Sequence, residues 1–319
     1  MSKSDRYTCR CRQDDSRSSV DCISGSICLA LARVLILLLC GCGGYQATAE
    51  TVTWVPTNGL NDWFVGANWS GGNVPTNGDD VVATNANSSV LLTNNTEYLG
   101  SFMISNACTL VFSNWGTTLY ATNVQVFNSG VITHAGPWTN SEMSNAVSIF
   151  ATNVFVAAGG GILADAKGYR ANAYSGSGPG GGTYRGGGSH GGRGGSVSWY
   201  YSFCFEELGP TNGEIASPLN PGSAGGNFGG GHGGGVVRIV AGDAITVNGT
   251  VSANGGNRSS GTYVGGGAGG SIWLTCRTFH GTNGTVSAAG GSAVGALNGG
   301  GGGGGRVAIA YDPDSQAAV

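Results

Sequence analysis

The stretch GTVSANGG occupies residues 249–256, and GTVSAAGG returns at 284–291, 35 positions later. The apolar stretch before each keeps the same interval: VVRIV at 236–240, SIWLT at 271–275 and RVAIA at 306–310. A fixed period of this length marks stacked units, each too small to bury its own apolar face. The chain therefore reads as all-β, a β-solenoid. Side chains alternate faces along a strand, so the register predicts which ones are buried. Val237, Ile272 and Val307 form one inward ladder, and Ile239, Leu274 and Ile309 a second. Arg238, Trp273 and Ala308 fall outside. Val251 and Val286 form a further inward ladder, with Ala253 and Ala288 beside them.

Glycine runs at 225–235, 261–270 and 299–305 separate these strands at equivalent positions. They should leave each rung on the same side, either stacked against one another as extended, mutually hydrogen-bonded segments or as mobile loops; composition alone does not decide between the two. Residues 159–305 hold 49 of the 62 glycines. No G-X-Y register accompanies them and the chain has only 8 prolines, which excludes collagen. A flexible linker would not keep Val, Ile and Trp in register. With 10% charged residues and a net charge of -3, the chain lacks the basic footprint of a nucleic-acid binder.

Upstream, residues 83–158 read as short strands broken by Asn, Ser and Gly: 89–92, 101–104, 109–112, 124–127, 131–133 and 154–156. The tetrapeptide ATNV appears at 121–124 and again at 151–154, 30 residues apart. Residues 50–82, with Trp54, Trp63 and Trp69, read as an N-terminal cap. The Gly-rich repeats then span 159–311, and 312–319 is a C-terminal tail. The aromatic run SVSWYYSFCFEEL at 196–208 breaks the pattern and reads as a strand with a long excursion.

Residues 1–49 read as a secretory signal. Basic residues up to Arg33 precede the apolar core VLILLLC at 34–40, and Ala47-Thr48-Ala49 supplies the cleavage site. The apolar run is too short for a membrane span. Leu39-Cys40-Gly41-Cys42 also fits a bacterial lipobox, which would anchor the chain by lipidation of Cys42. Cleavage after Ala49 leaves Cys108, Cys204 and Cys276, and so no disulfide framework. Alternation along the strands points Cys108 and Cys276 inward, as small buried hydrophobes.

The opening Trp63, Asn68-Trp69-Ser70-Gly71-Gly72, Val74-Pro75 and Gly78-Asp79-Asp80-Val81 resembles the N-terminal segment of secreted bacterial β-helix proteins, including autotransporter-like adhesin passenger domains. The GTVSANGG and GGSIWL repeats resemble a glycine-rich family of exported bacterial proteins. Together the two resemblances cover nearly all of residues 54–311. They imply a right-handed parallel β-helix that is secreted or held at the cell surface. A translocator barrel, which that pattern would carry, is not present in this sequence.

The chemistry-bearing residues are few. His134, His190, His232 and His280 form no H-x-H or HExxH pattern, so no metal site and no cofactor is expected. Histidines in glycine loops, His190 and His232 here, are commonly solvated. Asp79-Asp80 reads as a turn before a strand rather than a calcium site. A glycoside hydrolase needs two carboxylates at a set separation. Acids here are scattered, apart from Asp79-Asp80 and Glu206-Glu207. The reading is a non-enzymatic structural or adhesive solenoid, with surface glycans or other cell-surface proteins as partners. A carbohydrate-binding module is the alternative: Trp199, Tyr200, Tyr201 and the outward Trp273 could stack on sugar rings. A polysaccharide lyase or hydrolase on the same fold is the second alternative.

Overall fold

Each of the three 35-residue intervals becomes one step along a stack of parallel strands. The computed structural model of the chain describes residues 49–138, 144–172, 174–196, 208–261, 263–294 and 299–318. Its larger sheet runs in order through β1 (Thr51–Thr53), β3 (Asp80–Ala83), β5 (Tyr98–Ile104), β7 (Leu119–Val126), β9 (Val147–Val156), β11 (Val236–Val247), β13 (Ser271–Thr275) and β16 (Arg306–Ala310), with β14 (Thr278–His280) also on β11. The smaller sheet runs through β2 (Gly59–Asp62), β4 (Ser88–Leu92), β6 (Thr109–Phe112), β8 (Val131–His134), β10 (Gly161–Leu163), β12 (Thr250–Ser252) and β15 (Thr285–Ser287). Strands next to each other in these sheets are parallel, as in β11–β13 and β12–β15. The inward residues of both sheets form one hydrophobic core. The fold is a parallel β-solenoid of two stacked sheets, not closed into a barrel.

The register follows the sequence period. Val237 pairs with Ile272 and Ile272 with Val307; Ile239 pairs with Leu274 and Leu274 with Ile309. Val237, Ile239, Ile272 and Leu274 are fully buried. At roughly 1.5–3 kcal/mol for each such side chain, these ladders are a main source of cohesion between rungs. Val307 and Ile309 keep the register but depart from the expected burial. Val307 is 44% exposed and Ile309 half-buried, because β16 is the last strand of its sheet and no further strand among the described residues covers its far side. Val286 and Ala288, at the matching end of the smaller sheet, are half-buried for the same reason. Arg238, Trp273 and Ala308 point outward as expected.

Upstream, the two ATNV copies lie side by side: Ala121 pairs with Ala151, Asn123 with Asn153 and Val124 with Val154. In β9 two successive residues, Thr152 and Asn153, face outward, and this shifts the phase of the alternation along the strand. The Asn153 amide donates to the Asn123 side-chain oxygen at 3.2 Å, and Ala244 N–H donates to Asn153 Oδ1 at 3.3 Å. At the first rung, Trp54, Trp63 and Trp69 pack edge to face with ring centres 4.7–4.8 Å apart. All three are buried, and the indole N–H groups of Trp54 and Trp69 are satisfied by Ser88 Oγ and the Trp63 carbonyl.

The glycine runs form the other half of the structure. Along 265–270 each N–H donates to a neighbouring segment, and the neighbour changes with a period of three. Gly265 and Ala268 donate to Gly226 and Ser223; Gly266 and Gly269 to Gly300 and Gly303; Gly267 and Gly270 to Gly256 and Ala253. Of the carbonyls, those of Gly265 and Ala268 follow the same rule, accepting from Gly231 and Gly234, whereas those of Gly267 and Gly270 accept from Gly291 and Arg306. Three residues per turn with no internal hydrogen bond is the polyproline II geometry, whose backbone groups normally face water. Here adjacent segments replace the water, and the backbone groups are paired. Of the two readings the glycine runs allowed, the structure has the stacked one, a threefold lattice of extended segments.

This packing explains the composition. A Cβ on Gly267 would overlap the His232 carbonyl, and one on Gly302 would overlap the carbonyl of Gly267. Gly304, on the outer face of the last segment, would meet nothing within 4 Å. Replacing Gly267 by Ala should cost about 3 kcal/mol or more through overpacking. Replacing Gly304 by Ala should be neutral or slightly stabilising, since it restricts only the unfolded chain. Urea denaturation of the two variants checks this; equal midpoints would contradict the lattice.

Candidate functional site

Two aromatic arrays lie on the surface. The first runs up the outer face of the larger sheet. Tyr98 pairs with Tyr120, and Tyr120 with Phe150. The Tyr120 and Phe150 rings are 5.7 Å apart and tilted by 38°. Arg238 follows, its guanidinium carbon 4.7 Å from the Phe150 ring centre and 4.9 Å from that of Trp273. Arg238 is thus sandwiched between two ring faces, a cation–π arrangement. Its Nε is buried and has no partner among the described residues. The array is laminated along the solenoid axis. Trp273 therefore presents one face to Arg238, and its neighbour on the next rung is only Ala308.

The second array sits at the tips of the glycine segments. Tyr174, Tyr184, Phe228 and Tyr263 are 72%, 58%, 70% and 38% exposed, an unusual share of open aromatic surface for so small an area. The tips lie against one another: Tyr184 N–H donates to the Tyr174 carbonyl at 2.9 Å, and Asn227 Nδ2 to the Tyr263 carbonyl at 3.0 Å. Phe228 and Tyr263 are 35 residues apart, so the tips recur with the rungs. The Arg185 guanidinium lies 4.1 Å from the Tyr263 ring centre. Beside Phe228 opens a cavity of about 280 Å³ between the 170–172 segment and the next tip.

Two of the histidines, His134 and His190, are buried, while His232 and His280 are half-buried. His190, which its glycine surroundings marked as a solvated residue, is fully buried, with Nδ1 2.9 Å from the Gly269 carbonyl. Its ring takes the place of a backbone donor in the threefold pattern. His134 is also fully buried. Its Nδ1 lies 2.7 Å from the Ala135 carbonyl, and its Nε2 accepts from Val236 N–H at 3.2 Å. Burial holds the His134 imidazole down at about 4, helped by the charge of Lys167. His190 and His232 are lowered too, first by burial and then by Arg306 and Arg170 respectively. Cys108 and Cys276 are buried, free thiols, as alternation predicts. Burial raises the Cys108 thiol to about 11, so it is inert as a nucleophile.

Of the residues singled out for glycan stacking, only Trp273 is described; Trp199, Tyr200 and Tyr201 lie outside the described residues, as do Cys204, Cys42 and Glu206-Glu207. Tyr174, Tyr184, Phe228 and Tyr263 escaped notice, although the spacing of Phe228 and Tyr263 was available. Asp79 closes its turn, accepting from Thr76 N–H at 2.7 Å and the Thr76 hydroxyl at 3.0 Å. Asp80 accepts from Ser101 Oγ. Asp165 accepts from Ser252 Oγ and Asn254 N–H. Among the described residues, no three His, Cys, Asp or Glu side chains gather as metal ligands, and no helix is long and apolar enough to cross a membrane. Comparison with protein-family models, with curated proteins and with solved structures finds no match to this chain.

The buried histidines set a pH dependence. Unfolded, the His134 imidazole protonates near 6.5; folded, only near 4. The unfolded chain therefore binds more protons in between, and stability falls as pH drops from about 6.5 to about 4, by about 3 kcal/mol at most. His190 and His232 act in the same direction. Urea titrations across this interval should show the fall, and His134→Gln should reduce its slope. An unchanged slope in the variant would contradict the assignment.

Proposed function

We propose that this chain is an exported, non-enzymatic structural or adhesive β-solenoid, acting at the cell surface or outside the cell. The observation that carries this reading is the group of exposed aromatic side chains Tyr174, Tyr184 and Phe228, with Tyr263 under Arg185 beside them, on the tips of a hydrogen-bonded glycine lattice. A lattice tied to two sheets holds those tips in fixed positions, so little ordering entropy opposes binding there. Polar and aromatic surface of this kind suits contact with surface glycans or with other surface proteins. The N-terminal 49 residues supply the export route, either by cleavage after Ala49 or by lipidation at Cys42.

The resemblance to autotransporter-like passenger domains agrees with this assignment. The alternative of a carbohydrate-binding module differs from it only in ligand, and is favoured by the same tips rather than by Trp273. The enzyme reading has less support, because the carboxylates Asp79, Asp80 and Asp165 are each committed to local hydrogen bonds.

A sedimentation assay separates these readings. The purified chain, mixed with bacterial cell envelopes or insoluble polysaccharide, should sediment with them and release no reducing ends or unsaturated sugars. Release of either, in proportion to the amount of chain added, would assign it as an enzyme. Failure to sediment with any surface would remove the adhesive function.

A further inference from the structure

The cavity beside Phe228 has a one-sided chemistry. Its polar side chains are Arg170, Asn172, His232 and Ser259, and no carboxylate lines it among the described residues. Asn172 Nδ2 is committed to Ser177 Oγ at 2.6 Å, and Ser259 Oγ reaches the Gly229 carbonyl at 3.3 Å. Two groups remain to meet a ligand. The first is the Arg170 guanidinium, on an exposed residue with no acidic partner among the described residues. The second is His232. Ala171 N–H donates to its Nδ1 at 3.1 Å, so in the neutral ring the proton sits on Nε2. That nitrogen is a donor and has no partner among the described residues.

Two donors, one of them permanently charged, call for an anion. The open Phe228 ring at the rim calls for a flat apolar face next to polar edges, which is the surface of a pyranose ring. A cavity of about 280 Å³ has room for one such unit. Tyr263 stands one 35-residue interval from Phe228, so one neighbouring unit of a polymer would meet a second aromatic residue.

We infer that this cavity is a binding site for an acidic sugar unit of a surface polysaccharide. The anionic group lies against Arg170 and His232 Nε2–H, and the ring stacks on Phe228. The inference rests on the adhesive reading and names the ligand class for it. The anion is a carboxylate or a sulfate; the donor pair suits either.

The test is isothermal titration of the purified full chain with three probes: galacturonate oligomers, sulfated galactose oligomers and neutral galactose oligomers of the same length. At least one acidic oligomer should bind, and the neutral one at least about tenfold more weakly. Which acidic oligomer binds tells carboxylate from sulfate. Arg170→Gln should weaken the acidic oligomer roughly tenfold or more, and Arg170→Lys by less. Phe228→Ala should weaken acidic and neutral oligomers together. Arg170 and Phe228 are exposed, so all three variants should unfold at the wild-type temperature. Equal binding of acidic and neutral oligomers, or an Arg170→Gln variant that binds as well as wild type, would overturn the inference. If the chain sediments with cell envelopes while neither acidic oligomer binds, this inference fails and the adhesive function stands. If neither occurs, both fail.

Discussion

A glycine segment has no side chain to bury, so it can be held in place only through its backbone. In this protein the constraint is met by a threefold arrangement in which residues i and i+3 address the same neighbour. Segment 265–270 donates to three different segments in turn, and its carbonyls accept from further segments. Because every neighbour must approach within hydrogen-bonding distance, a methyl group on Gly267 or Gly302 has no place to go. The high glycine content is therefore a packing requirement. It also narrows where function can reside, since exposed side chains stand at the tips and the outer faces.

The sheets and the lattice support each other. The sheets bury Val, Ile and Leu in ladders, and the lattice grows from the same rungs. The junction is visible at His134, whose Nε2 accepts from Val236 N–H where the glycine run gives way to β11. It is visible again at Arg306, whose N–H donates to Gly270 O where the last glycine run becomes β16. Buried neutral histidines at such junctions satisfy backbone groups that no glycine could reach, and they make the whole assembly sensitive to acid.

Much of the fold is legible from the sequence because strand register is a one-dimensional signal. The intervals of 35 and 30 residues translate directly into paired rungs, as at Val237–Ile272 and Ala121–Ala151. End effects are not legible in the same way: Val307 has the pattern of a core residue but lacks a neighbour to cover it. Nor is the lattice geometry, since which glycine run touches which is a matter of three-dimensional packing. His190 shows the cost: its glycine surroundings in sequence suggested solvent, whereas in space those glycines enclose it. The candidate site was hardly legible: the dense run at 199–205 and Trp273 are strong sequence signals, whereas single aromatics in glycine loops carry almost none. Trp273 packs beside Arg238 and Tyr263 beside Arg185, whereas Phe228 is 70% exposed at its loop tip.

The central claim is that the glycine runs are an ordered core rather than mobile loops, and amide hydrogen exchange tests it most directly. The account predicts that the N–H groups of Gly265, Gly266, Gly267, Ala268, Gly269 and Gly270 exchange as slowly as those of the buried strands β11 and β13, because each is bonded to a neighbouring segment. Exchange of those six amides at the rate of an unstructured glycine peptide, with the strands still protected, would contradict it.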